Sequence, residues 1–381
     1  MDNKKGSQPE SSKFGLYIHF PLCKKKCPYC HFASVPFEKE LVGLWKEGLE
    51  REAHLYSGLE NVFDTLYIGG GTPSLLSPDE LAGIGRRLGD CFHLDLSEFT
   101  LEANPELKDA AALEGWREAG VTRLSLGIQS FDDRILGLLG REYSASQAAE
   151  FAASCRAAGF DNISLDLMIG VPSEERKSIE DIPRRLDVLK PEHVSLYIME
   201  QLEGLPFEEF FRLHAPDDDF VADEYAFLQK EMEARGLRQY EISNFARPGK
   251  ECLHNLKYWR YEPFLGLGPS ACSHLGNRRW CHEAEIRTWA YALRNGQTAL
   301  SESFDLSPEE SLKEALVFGL RQVEGIKPSE FRERWGVDIL ERFGPALADL
   351  EREGFIDIGL DSIRIKKDKL LLSNRVFVRL I

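Results

Sequence analysis

The sequence predicts an α/β protein: a parallel sheet in the larger part of the chain and a smaller α+β module at its C-terminal end. Two observations predict the sheet. Short β-rich runs recur through the first half, and between them lie stretches with apolar residues three and four apart, the helical spacing. Parallel neighbours need long connections, which right-handed crossover helices supply. A third observation sets off the module: helices return after residues 200–300, which are rich in aromatic, Gly and Pro residues.

Taken in order, residues 1–13, "MDNKKGSQPESSK", read as a disordered polar tail. They lack the apolar core of a secretory signal and carry acids that a transit peptide avoids. "FGLYIHF" (14–20) is the first strand, and "EKELVGLWKEGLEREAHLYSGL" (38–59) the first long helix. Strands follow at "DTLYIGG" (64–70), "EFTLEAN" (98–104), "VTRLSLGI" (121–128), "NISLDLMIG" (162–170) and "HVSLYIM" (193–199). "SASQAAEFAASCRAAG" (144–159) is a helix that opens with serine caps and closes at a glycine. Six such units make either an open doubly wound layer or a full or partial barrel, and in each case ligands collect at the C-terminal strand ends. Beyond them, "SPEESLKEALVFGLR" (307–321) is helical and "GFIDIGLDSIRIKKDKLLLS" (354–373) a β-hairpin, which gives the module winged-helix character. The expected division is a barrel or layer over 14–235, an irregular connecting region over 236–300 and the α+β domain over 301–381.

A chain of 381 residues exceeds the size at which one core usually stops growing. Its 43% apolar content is that of a globular protein. A formal net charge of −16 argues against nucleic acid or an anionic membrane as partner, since both reward a basic surface. No apolar run approaches the ~20 residues that span a bilayer. Of the eight cysteines, three are clustered and five (Cys91, Cys155, Cys252, Cys272, Cys281) are scattered. That is no disulfide framework; it suits a reducing cytoplasm and a metal cluster.

The cluster is Cys23-x3-Cys27-x2-Cys30 in "CKKKCPYCHF" (23–32). A structural zinc site wants four closed ligands, usually as two pairs, and His31 adjoins Cys30 too closely to reach the same metal. Three thiolates on a four-iron cluster instead leave one iron open to bind something else. The second motif is "YIGGGTP" (67–73), where glycines directly after a strand let backbone approach a ligand and Pro73 stiffens the exit. It lacks the Lys and Ser/Thr of a phosphate-binding loop, and "GLGPSA" (266–271) fits a dinucleotide fingerprint only on paper, because Pro269 interrupts it. Gln129 and Asp166 stand inside apolar strands, where an unpaired polar group is costly.

"YIHFPLCKKKCPYCHF" resembles the signature of the radical S-adenosylmethionine (SAM) superfamily, and within it the oxygen-independent coproporphyrinogen III oxidase group. The resemblance implies a partial (β/α)6 barrel and a [4Fe–4S] cluster on Cys23, Cys27 and Cys30. SAM would be chelated on the open iron, and one electron from the reduced cluster would split it into methionine and a 5′-deoxyadenosyl radical. It further implies that the loop Gly70, Gly71, Thr72 contacts the SAM amino group. Glu102, Gln129, Arg141 and Asp166 match polar SAM-binding positions, and Tyr17 and Tyr29 match positions packed around the cofactor.

Two departures separate the chain from the oxidase. Phe32 stands where the oxidase has a fourth cysteine, and only 22 residues precede Cys23. Both resemble the HemW branch, regarded as haem chaperones, as does "YEISNFARPGKECLHNLKYW" (240–259) with its His-Asn-x-x-Tyr-Trp motif. That resemblance implies haem as cargo, acceptor haemoproteins as partners and His254 as leading iron ligand; the alternative for His254 is a hydrogen-bonded histidine inside an aromatic loop. Cys272 stands where relatives tend to have histidine, and His274 and Cys252 are weaker ligand candidates. Lys24-Lys25-Lys26 is either a solvated loop or a basic spot that steers an acidic one-electron donor, a flavodoxin or ferredoxin. The leading expectation is a cytoplasmic haem chaperone with cluster and SAM. The alternative is radical oxidative decarboxylation of coproporphyrinogen III, and a radical enzyme acting on another substrate also stays open.

Overall fold

A computed structural model describes residues 13–105 and 109–381; the polar tail expected over 1–13 lies almost wholly outside the described residues. The chain opens with β1 (Phe14–Phe20), and the short parallel pair β2 (Leu22–Cys23) and β3 (Val35–Pro36) brackets the cysteine loop. Then α1 (Lys39–Leu55), β4 (Val62–Gly70), α2 (Pro78–Cys91), β5 (His93–Ala103), α3 (Ala110–Glu118) and β6 (Arg123–Gln129) follow. They continue with α4 (Asp133–Leu138), α5 (Ala145–Ala157), β7 (Ile163–Ile169), α6 (Arg176–Leu189) and β8 (His193–Ile198). The α2 and α5 helices start at capping boxes, Ser77 with Glu80 and Ser144 with Gln147, so the serine start read in the sequence is realised in hydrogen bonds.

The six long strands lie side by side in sequence order, all parallel. The order never reverses, so the sheet winds one way as a barrel does and not as a doubly wound layer. Its two edges remain apart among the described residues, which makes the barrel partial. Leu16, Ile18 and Phe20 of β1 turn outward to the helices, where Phe20 meets Trp45 edge-on at 5.0 Å. Tyr17 and His19 alternate with them and face the lumen.

The region 236–300, expected to be irregular, instead carries regular structure. After α7 (Glu208–His214) and α8 (Asp218–Ala234) come β9 (Arg238–Gln239), β10 (Asn244–Ala246), α9 (Leu253–Trp259), β11 (Phe264–Leu267), β12 (Cys272–Leu275), β13 (Arg278–His282), α10 (Ile286–Arg294) and β14 (Leu300–Asp305). They lengthen both edges of the barrel into a sheet of 12 strands. The β11 strand is a seventh parallel strand, laid against the outer side of β1. The glycines of "GLGPSA" serve close packing there: a Cβ on Gly268 would lie 2.5 Å from the His19 carbonyl oxygen. A second core, from Leu312 to Leu380 with Tyr261, belongs to α11 (Pro308–Gly319), α12 (Pro328–Trp335), α13 (Ile339–Arg352), the hairpin β15 (Ile356–Ile358) and β16 (Ile363–Ile365), and the closing turns that include α14 (Ser373–Phe377).

Glu52 ties α1 to the far edge of the sheet. It is fully buried, accepts from the Gly268 amide at 2.6 Å and Trp289 Nε1 at 2.9 Å, and lies 3.3 Å from His282 Nδ1. Burial, opposed by those two donors, pushes its carboxyl up to about 8. The folded chain thus keeps a proton that the unfolded chain has released, and its contribution to stability is lost as pH rises from the ordinary carboxylate range through about 8. Between pH 6 and 8 the wild-type chain should lose about 2 kcal/mol more than Glu52→Gln does, read from urea midpoints at each pH.

Candidate functional site

The cysteine loop leaves the C-terminal end of β1 and is pinned at its base. The Val35 amide donates to the Pro21 carbonyl at 2.8 Å and the Phe37 amide to the Cys23 carbonyl at 2.7 Å, while a turn joins the Cys30 amide to the Cys27 carbonyl at 3.1 Å. Cys23 is buried; Cys27 and Cys30 are half-buried. Burial pushes the Cys27 and Cys30 thiols up, and the neighbouring thiols raise them further, so the three sulfurs lie within electrostatic reach of one another. Among the described residues no three His, Cys, Asp or Glu side chains close on a single ion. Zinc holds sulfur at about 2.3 Å, so its ligands crowd together.

The glycine run at the end of β4 packs against this loop. Gly70 has φ +110°, and a Cβ there would lie 2.5 Å from His19 Cε1; one on Gly71 would lie 2.6 Å from the Leu22 carbonyl oxygen. The Gly71 amide donates to the Phe20 carbonyl at 2.7 Å and the Thr72 amide to Leu22 at 2.9 Å. The glycines therefore let two strand exits lie flush and hold the cysteine loop in place. His19, which sequence reading passed over, closes the bracket: Nε2 donates to the Ala33 carbonyl at 2.8 Å, leaving Nδ1 to accept from Tyr17 Oη at 3.0 Å.

The polar residues of the later strands converge at the same end. Glu102 accepts from Tyr67 Oη at 2.8 Å and the Gly70 amide at 3.1 Å, and burial, reinforced by Asp166, pushes it up to about 7. Asp166 is raised by burial and accepts from Ser125 Oγ at 3.0 Å and Ser164 Oγ at 3.2 Å, which answers the cost of a polar group in an apolar strand. Gln129 sits at a β-bulge with φ +67°, a conformation that non-glycine residues adopt rarely. Arg141 spans the site: Nη2 donates to Tyr29 Oη at 2.6 Å, Nη1 to Asn104 Oδ1 at 2.9 Å, and its buried Nε has no partner among the described residues. Asn104 passes the contact on to Thr72 Oγ1 at 3.1 Å. Cys27, Thr72, Asn104, Arg141 and Tyr143 line a cleft of about 260 Å³ beside the cysteine loop. Asn104 and Tyr143 were missed in the sequence; Asn104 had a signal, two residues past Glu102 at a strand end.

The haem-ligand candidates fare differently. His254 is buried in α9 with Thr65 Oγ1 on Nδ1 and Tyr258 Oη on Nε2, both at 2.8 Å, and burial pushes it down to about 3. Both nitrogens of this neutral ring are engaged, so the leading expectation of an iron ligand meets a hydrogen-bonded core histidine, and ligation here would have to displace a hydroxyl. Cys252 is buried, with Sγ 3.5 Å from Glu98, the carboxylate that also takes the Leu253 and His254 amides at the start of α9. His274 is buried against Tyr261 and Phe264, and Cys272 forms a disulfide with Cys281. Lys25 pairs with Glu142 at 3.4 Å and Lys26 donates to the Phe32 carbonyl at 3.3 Å, which takes part of the basic spot into local contacts.

A one-way parallel barrel with a three-cysteine loop after its first strand defines the radical SAM class, and residues 17–186 match the radical SAM superfamily. Residues 306–367 match the HemN C-terminal domain. The chain is 33% identical over 372 residues to the heme chaperone HemW of Bacillus subtilis, covering 95% of this chain and 97% of that one. It is 32% identical to the mitochondrial radical S-adenosyl methionine domain-containing protein 1 of Bos taurus, over 98% of this chain and 88% of that one. Coproporphyrinogen III oxidase HemN of Escherichia coli, a radical SAM enzyme, shares the fold with a TM-score of 0.86 at 20% identity, over 99% of this chain and 92% of that chain. The chain belongs to the HemW branch of the HemN-like radical SAM family. The family implies SAM and a [4Fe–4S] cluster. Among the described residues no helix is long and apolar enough to cross a membrane.

Proposed function

We propose that the chain is a cytoplasmic haem carrier that binds a [4Fe–4S] cluster and SAM and delivers haem to acceptor haemoproteins. The observation that carries this reading is the match, along nearly the whole of both chains, to a relative named a heme chaperone. Phe32, 54% exposed on the cysteine loop where the oxidase would have a further thiol, favours the carrier over coproporphyrinogen decarboxylation. Cys23, Cys27 and Cys30 hold the cluster, and the cleft lined by Thr72, Asn104 and Arg141 takes SAM. Bound together, cluster and SAM supply one-electron cleavage of the sulfonium, the electron coming from a flavodoxin or ferredoxin. The protein's part is to place charge. The Arg141 guanidinium would take the SAM carboxylate, Asp166 the ribose hydroxyls and Glu102 the ammonium or ribose, and the pinned loop would hold the three thiolates toward the cluster. Anaerobic titration of haem into the cluster-loaded protein, followed in the Soret band and then by transfer to an apo-haemoprotein, tests the reading. Stoichiometric binding and transfer are expected. Failure to bind haem, with turnover of coproporphyrinogen III, would hand the site to the oxidase reading.

A further inference from the structure

Ser164 and Asp166 alternate along β7 with the fully buried Leu165 and Leu167, so they face the lumen. Asp166 is half-buried, and Ser125 Oγ shares its one proton between the two carboxylate oxygens at 3.1 and 3.0 Å. Ser164 Oγ lies 3.2 Å from Asp166 Oδ1 and 2.8 Å from His193 Nδ1. The far nitrogen of that ring, Nε2, lies 2.9 Å from Tyr240 Oη, which accepts from the Cys252 amide at 3.3 Å where α9 begins. A backbone amide can only donate, and this fixes the direction of the row. Tyr240 keeps its proton, since burial raises its phenol well above the ordinary value, and among the described residues His193 Nε2 is the acceptor it has. Burial, reinforced by Arg123, keeps the His193 ring neutral; with Nε2 accepting, its hydrogen sits on Nδ1 and points at Ser164. Ser164 then passes its own proton to Asp166. Ser195 Oγ, 3.5 Å away, is the weaker acceptor, because bonds to a charged group are about twice as strong.

We propose that Tyr240, His193 and Ser164 are positioning residues for SAM: a one-way row of hydrogen bonds from the Cys252 amide delivers the Ser164 hydroxyl to Asp166 and fixes the carboxylate toward the ribose. The inference rests on the reading that SAM binds in this barrel with its ribose on Asp166. A carboxylate offers about four lone-pair sites. Ser125 and Ser164 occupy two, which leaves two for the two ribose hydroxyls. Burial raises Asp166, and Ser195, Arg123, Ser125 and Ser164 oppose the rise. Glu102, Tyr67, Tyr143 and Tyr197 also face it; burial raises all three phenols, and Glu102, pushed up to about 7, is the one that titrates near neutrality. Protonation of Asp166 removes acceptor sites, so SAM affinity falls as pH drops through its titration. Withdrawing the Ser164 proton moves that fall to higher pH.

Anaerobic equilibrium dialysis of SAM against cluster-loaded protein, from about pH 5.5 to 8.5, compares wild type, Ser164→Ala, Tyr240→Phe and Asp166→Asn. Iron content and circular dichroism confirm that each is loaded and folded. Ser164→Ala and Tyr240→Phe each remove a single oxygen, and if one of them loses its cluster the other decides. Tyr240→Phe frees the His193 hydrogen to move to Nε2, so that Ser164 turns its proton onto Nδ1 and away from Asp166. Both variants should shift the loss of affinity up by about one pH unit, which makes SAM bind about tenfold more weakly at the acid end and within about twofold of wild type at the alkaline end. Asp166→Asn should retain only the pH dependence that Glu102 contributes. A profile unchanged in both oxygen deletions overturns the inference, and so does a loss equal at every pH, which is what a merely structural role gives. Wild-type affinity and profile in Asp166→Asn overturn it by taking SAM off Asp166, while the Arg141 cleft still stands. No SAM bound by wild type at any pH overturns the SAM reading along with it.

Discussion

Cys27→Ser should strip the protein of its iron. A serine hydroxyl ionises far less readily than a thiol, and thiolates are what hold iron–sulfur clusters. With three cysteines in the loop, losing one leaves two, and Cys23 and Cys30 have no replacement sulfur to recruit: Cys91, Cys155 and Cys252 are buried in other elements, and Cys272 and Cys281 are bonded to each other across β12 and β13. Reconstituted iron should fall to background, and reductive SAM cleavage by at least about a thousandfold, the scale seen when an indispensable group is removed. Cys155→Ser, a change in the buried face of α5, is the control and should keep its full iron complement. Iron retained by Cys27→Ser would place the cluster elsewhere.

Arg141→Ala should weaken SAM binding by roughly 10- to 100-fold, since a hydrogen bond to a charged group contributes about 1.5–3 kcal/mol. The guanidinium touches both the cysteine loop, through Tyr29, and the end of β5, through Asn104, and its Nε is buried without a partner among the described residues. Arg141→Lys keeps the charge but cannot span Tyr29 and Asn104 with a planar fork, so it should fall between wild type and alanine. Anaerobic equilibrium dialysis of SAM against the cluster-loaded variants makes the measurement. Wild-type affinity in Arg141→Ala would move SAM out of this cleft.

The parallel strands were legible because strands covered on both faces read as apolar runs, and "LYIHF" or "SLDLMIG" cannot be much else. β5 extends to His93, five residues before its expected start, because "HLDLS" alternates and lies half-exposed, beyond the apolar run. The edge strands β9 to β14 were not legible: they are two to six residues long, and their pairing across the sheet leaves no local pattern. The spacing of Cys23, Cys27 and Cys30 was enough to put them on one loop. His254 could not be read in that way, since a motif names a residue type and is silent on what already occupies its nitrogens; Thr65 lies 189 positions away. His19 and Asn104 escaped because their work is to hold other site residues, which leaves no signature at short range.

The register of β1 with β11 also sets the order in which this protein can be made. Gly15 waits for Phe264, and Lys257 must arrive before its Nζ can bind the Lys13 carbonyl and Asp64 at the foot of the barrel. At ordinary synthesis speeds the ribosome needs about 10–50 s to deliver that partner. Until then the strand that carries the cysteine loop has an open edge, the kind that recruits other chains. The strand that carries the cysteine loop is therefore enclosed on both sides only after residues 264–267 have been delivered.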